Sequence, residues 1–131
     1  MATLLHIDTA GEKATVAVSQ NGKLLAIKEN EVAHTHSSFL HIAIQAIMND
    51  TQLSLSSIDA IAVTLGPGSY TGLRVGLSSA KGIAYALQKP LIGLSTLTLL
   101  ANAATKHPWL KDKKDKATIF AMLDEIGRAH V

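Results

Sequence analysis

Three short groups of residues in this chain have types and spacings that could do chemistry. The first is the segment TLGPGSYTGLRVG, residues 64 to 76, in which glycines and a proline follow strand-forming residues and lead into a helical pattern. A glycine turn between strand and helix can present backbone N–H groups and a positive helix end to an anion. The second is Asp8-Thr9-Ala10, closing an apolar run near the N-terminus. A carboxylate there could hold a metal–nucleotide complex, or could fold back on the backbone of a turn. The third is His34, His36 and His41, a candidate metal set.

Spacing narrows each of these. The glycine segment is not a Walker A loop, because Leu73 and Arg74 follow Gly72 where Lys-Ser or Lys-Thr would be needed. Gly66, Gly68 and Gly72 also miss the G-x-G-x-x-G spacing of a dinucleotide site. A looser phosphate site would draw on Asp8, Thr9, Gly66, Gly68 and Ser69. On a helix, paired metal ligands belong four apart, yet the residue four after His36 is Leu40, and no third ligand is evident. Ser69, Ser78 and Ser79 lack the G-x-S-x-G context of a nucleophile, and no paired carboxylates share a face. The sequence is poor in catalytic equipment, and no metal site is expected.

The glycines have a second reading. Gly72, Gly76, Ala80 and Ala84 fall four apart on one helical stripe, with Val75, Ser79, Ile83 and Leu87 beside it. Gly72, Gly76 and Gly82 together cost about 3 kcal/mol of helix propensity relative to alanine. Close approach of backbone to a neighbouring helix or sheet would offset that cost. On the other side, Leu73, Leu77 and Tyr85 lie among Arg74, Ser78 and Lys81, a mixed surface suited to an interface.

These residues must be positioned by a mixed α/β fold. Runs at 3–10 and 13–20 read as strands, and Asn21-Gly22 is a hairpin signal before a third strand at 22–31. A helix is expected over Ser37 to Asp50, capped by Ser37 or Thr35. Its apolar residues leave only His41, Gln45 and Asn49 as a polar stripe, so it should be covered on two sides. A buried strand at 59–66, a helix at 70–88, a strand at 90–95, a helix at 96–107 and a last strand at 116–124 complete the order. A meander followed by crossovers implies a mixed sheet of five to six strands flanked by helices.

The whole chain bounds the function. Its 131 residues form one domain, 47% hydrophobic, 17% charged and 4% aromatic. A net charge of +2 is too small to argue for nucleic acid, and the cluster KDKKDK (Lys111 to Lys116) is half cancelled by its aspartates. Without cysteine there are no disulfides or thiolate chemistry. Asp8 interrupts the N-terminal apolar run, and Pro90 to Thr105 is too short and polar to span a bilayer. A soluble, cytoplasmic protein without a membrane partner is expected.

The segments LLHIDTA, VAVSQNGKL, AIAVTLGPGSYTGLRVGLSSAKGIAYAL, PLIGLSTLTLLA and AMLD resemble, in order and spacing, the TsaB (YeaZ) family over residues 2 to about 124. The resemblance implies an actin-like (ASKHA, sugar-kinase and Hsp70-type) lobe. It also implies a non-catalytic partner of the TsaD transferase in threonylcarbamoylation of tRNA adenosine beside the anticodon. The TsaE ATPase would bind the pair and tRNA would be met indirectly through the complex; no cofactor is expected in this chain, with the complex interface left open to ATP or ADP. The two helices would form the pairing surface through Phe39, Ile47, Leu73, Arg74, Gly76 and Leu77, with a homodimer when no partner is present. The His-x3-His pair of TsaD-type proteins is missing, as Leu40 shows, and Asp8, Thr9, Gly66, Gly68 and Ser69 would be the remnant of an ancestral phosphate loop, now mainly a structural and interface element. Two rivals remain at this point: a phosphate-handling enzyme of the same superfamily, and a metalloprotease-like protein resting on the three histidines.

The family continues after AMLD with a second, smaller half-domain, whereas EIGRAHV follows here. Those seven residues match a translated sequencing adapter, so Glu125 to Val131 are expected to be non-native and residues 1–124 to be an N-terminal lobe.

Overall fold

The structure is a computed structural model that describes residues 2–30, 36–106 and 108. Strand β1 (Thr3–Asp8) pairs antiparallel with β2 (Thr15–Gln20), which pairs antiparallel with β3 (Lys23–Glu29). Asn21 and Gly22 turn the second hairpin with φ of 54° and 77°. Two positive φ angles suit the right-handed twist of the strands, and Asn-Gly supplies them at least cost. Helix α1 (His36–Thr51) and a short 3₁₀ turn (Leu55–Ser57) carry the chain to β4 (Ala60–Gly66). Helix α2 (Tyr70–Leu87), β5 (Leu91–Ser95) and α3 (Thr96–Thr105) follow. The sheet order is β3-β2-β1-β4-β5, with β4 parallel to both β1 and β5.

One face of the sheet carries the core. Leu5 and Ile7, Val16 and Val18, and Ile61 and Val63 alternate onto it, as a period of two requires. They meet Leu40, Ile44 and Ile47 of α1 and Ala80 and Ala84 of α2. Lys28 of β3 reaches Asp50 of α1 at 2.9 Å, an exposed pair worth about 0–1 kcal/mol. Asp59 aligns the centre more effectively: its carboxylate accepts the Thr3 N–H at 2.7 Å and its N–H donates to the Thr3 carbonyl at 2.8 Å. That double tie sets β1 and β4 in register, Leu4 beside Ala60 through Ile7 beside Val63.

One expectation changes. Helix α1 begins at His36, so Ser37 lies inside it rather than capping it. Among the described residues, α1 is covered along one side: Leu40, Ala43, Ile44, Ile47 and Met48 are buried, while Ile42 stands 69% exposed between half-buried Phe39 and Ala46. Thr35 as cap, the basic cluster, the last strand at 116–124 and the tail from Glu125 lie outside the described residues. Among the described residues no helix is long and apolar enough to cross a membrane.

Candidate functional site

Because β1 and β4 run parallel and in register, their C-terminal ends open side by side. In open α/β sheets this is where ligands sit. The loop after β4 begins at Gly66, whose φ of +117° is closed to L side chains, and passes through a cis Gly66–Pro67 peptide. Gly68 then lies on the turn after β1: a Cβ there would come within 2.5 Å of the Ala10 carbonyl oxygen and 2.8 Å of the Ala10 Cβ. The Ser69 N–H donates to that same carbonyl at 2.8 Å. Ser69 also caps α2, its Oγ accepting the Gly72 N–H at 3.2 Å.

Asp8 folds back in the same way. Its Oδ1 accepts the Ala10 N–H at 3.0 Å, an Asx turn that starts the hairpin. Thr9 is fully buried, and its Oγ1, which lies against Gly76, has no hydrogen-bond partner. The five candidates Asp8, Thr9, Gly66, Gly68 and Ser69 lie at the neighbouring ends of β1 and β4, packed against the surrounding backbone. A phosphate cradle needs open N–H donors and room for the anion. Here the Ser69 and Gly72 donors are spent inside the loop, Ala10 fills the space at Gly68, and the Thr9 hydroxyl faces away from solvent. As they stand, these residues leave little room for a nucleotide phosphate.

Helix α2 explains the closure. Gly72, Gly76, Ala80 and Ala84 are its buried residues, a stripe of small side chains laid against the sheet. Any Cβ at Gly76 would strike the Thr9 side chain. Gly76 is thus an inward contact, not a surface one, and Ile47 is a fully buried core residue. Both leave the candidate pairing surface. Leu73, Leu77 and Phe39 are half-buried, with Leu73 Cδ1 3.1 Å from where a Cβ at Gly66 would lie. Arg74 is exposed and sits 5.5 Å over the Tyr70 ring. Gly82 is exposed with open space around it, so no close approach accounts for it.

Sequence reasoning missed Ile42, Tyr70 and Lys89. The first is hidden because an almost wholly apolar helix gives no phase for choosing its outward residue. Tyr70 stands 74% exposed beside a basic residue four positions on, a spacing visible in the sequence. His41 is exposed, His34 and the His36 side chain lie outside the described residues, and no three metal-ligating side chains cluster among those described.

The mixed five-stranded sheet flanked by helices, taken with its match to the TsaD family model and its superposition on YeaZ, places the chain in the class of actin-like α/β lobes. Residues 26–113 match the family model described as TsaD: tRNA N6-adenosine threonylcarbamoyltransferase. The tRNA threonylcarbamoyladenosine biosynthesis protein TsaB of Haemophilus influenzae is 41% identical over 103 residues, 78% of this chain and 43% of that protein. Its Escherichia coli counterpart is 35% identical over 125 residues, 94% of this chain and 52% of that protein. The solved structure of YeaZ from Pseudomonas aeruginosa superposes with a TM-score of 0.76 at 34% identity, covering 82% of this chain and 50% of that one. The chain belongs to the TsaB (YeaZ) branch of this TsaD-type family. It spans about half the length of the curated relatives it matches.

Proposed function

We propose that this chain belongs to a cytoplasmic protein of threonylcarbamoyladenosine biosynthesis in tRNA, acting there as a non-catalytic partner of a TsaD-type transferase. The observation that carries this reading is the second apolar strip of α1. Ile42 stands 69% exposed between Phe39 and Ala46, although the helix's other side is fully buried. An isoleucine that exposed on a core helix, with exposed Tyr70 and Arg74 on α2, has the mixed apolar and aromatic–Arg character of a pairing surface. Phe39, Leu73, Arg74 and Leu77 are retained as its members. The closed loop at Gly66 to Ser69 supports a scaffold over a phosphate-handling enzyme. A TsaE-type ATPase would engage the pair, and a homodimer through the same surface would form when no partner is present.

Light scattering on the chain mixed with a bacterial TsaD tests the reading. A heterodimer is expected, lost on Leu73→Asp and on Arg74→Glu, with circular dichroism showing both variants folded. Normal pairing by both variants would place the partner elsewhere.

A further inference from the structure

Charge is distributed unevenly along this chain. Residues 1–59 hold six carboxylates against three lysines, whereas residues 60–106 hold Arg74, Lys81, Lys89 and Lys106 and no Asp or Glu. The second stretch is therefore net positive, which favours an anionic partner over an acidic surface there. Its centre is a feature of the fold. Where α2 ends and β5 begins, an open hollow of about 730 Å³ is lined by Lys81, Tyr85, Gln88, Lys89 and Leu91 among others. Tyr85 is 88% exposed, the most exposed large side chain with apolar surface among the described residues. Lys81 lies one helical turn before it, and Lys89, just past the left-handed Gln88 that ends the helix, lines the same hollow.

Neither lysine has an acidic partner among the described residues. The C-terminal end of α2 contributes about half a negative charge, which two full lysine charges outweigh. Gln88 holds the rim in place, taking the left-handed conformation with φ 54° while the Lys89 N–H donates to the Ala84 carbonyl at 2.9 Å. Backbone geometry therefore fixes where Lys89 leaves the helix. An exposed tyrosine flanked by cations over an open hollow is the arrangement that stacks an unpaired base while lysines meet the adjoining phosphates. Tyr85 lies about 12 Å along α2 from Leu77, the retained pairing residue nearest to it, from eight residues of helical rise.

We propose that this end of α2 contacts RNA directly, Lys81 and Lys89 on the sugar-phosphate backbone and Tyr85 stacked on an unpaired base of a loop. The inference rests on the reading that the chain serves tRNA modification, and it places tRNA on this chain itself as well as on its partner.

Fluorescence anisotropy of a labelled, unmodified tRNA anticodon stem-loop, with the chain alone and paired with TsaD, tests it across a salt series. The double variant Lys81→Gln/Lys89→Gln should weaken binding about tenfold or more and flatten the slope of log affinity against log salt by about 2. Lys13→Gln/Lys23→Gln, the same charge change on the acidic half, should leave both unchanged. Tyr85→Ala should weaken the stem-loop about tenfold but leave heparin binding intact. Equal losses from the two lysine pairs, or no loss from Tyr85→Ala, would reduce the site to general basicity and overturn the proposal. Loss of TsaD pairing in Lys81→Gln/Lys89→Gln with RNA binding intact would overturn it too, giving the hollow to the protein partner. RNA binding with the predicted variant pattern but no TsaD pairing would uphold the RNA site and overturn the functional reading instead.

Discussion

The two sides of α2 use the same helix for opposite ends. Its inner side is a stripe of Gly72, Gly76, Ala80 and Ala84 pressed onto the sheet, where Gly76 meets buried Thr9. Its outer side carries Tyr70, Arg74, Lys81 and Tyr85 in solvent. The inner side lacks side chains because backbone must come close, and that closeness draws Gly68 and Ser69 onto Ala10 and shuts the loop. What the inner side removes as a ligand site the outer side restores as surface. The comparison teaches that a glycine-rich strand–helix junction can be a packing device wherever its N–H donors are already spent.

Helix α1 gives the first and largest test. Ile47 is fully buried and Ile42 is 69% exposed, five residues apart on one helix. Ile47→Ala should cost about 3–4 kcal/mol in urea unfolding, from lost transfer and the cavity left behind. Ile42→Ala should stay within about 0.5 kcal/mol of the parent. Equal losses would erase the distinction between core and surface sides.

The glycines of α2 give the next pair. Gly76→Ala should cost about 2–3 kcal/mol, because Thr9 is fully buried and has nowhere to yield. Gly82→Ala meets open space and should raise stability by about 1 kcal/mol through helix propensity alone. Thermal unfolding of both variants reads the difference directly, and a gain at both positions would contradict the close approach.

The smallest effect comes from the far face of the sheet. Burial holds His6, whose Nε2 lies 2.7 Å from the Ser19 hydroxyl, below the ordinary histidine value of 6.5. Between the folded value and 6.5 the unfolded chain binds more protons, so stability falls as pH drops through that window and is whole above it. The urea midpoint should drop more between about pH 7.5 and about pH 5.5 in the parent than in His6→Gln. Identical drops would assign the pH dependence to other groups.

Much of this was legible in the sequence. Strand and helix runs were visible because apolar periodicity and Asn21-Gly22 each carry a local physical signal, whereas Ser69 as the cap of α2 came only from the structure. The stripe from Gly72 to Ala84 was legible too, since two glycines and two alanines spaced four apart in a helix call for a close neighbour. The identity of that neighbour was not. That Gly76 meets Thr9 and Gly68 meets Ala10 follows from the register of β1 against β4, which Asp59 fixes across 56 residues of chain. Ile47 was misplaced on the surface for a related reason: α1 is apolar almost all round, so only the packed structure chooses its inward side.

The most direct measurement is amide hydrogen exchange on the chain alone, with Mg-ATP and with a bacterial TsaD. TsaD should slow exchange over residues 39–46 and 70–78, while Mg-ATP alone should leave 8–10 and 66–69 unchanged. Protection of 8–10 and 66–69 by Mg-ATP, with no change on the helices when TsaD is added, would contradict the account at its centre.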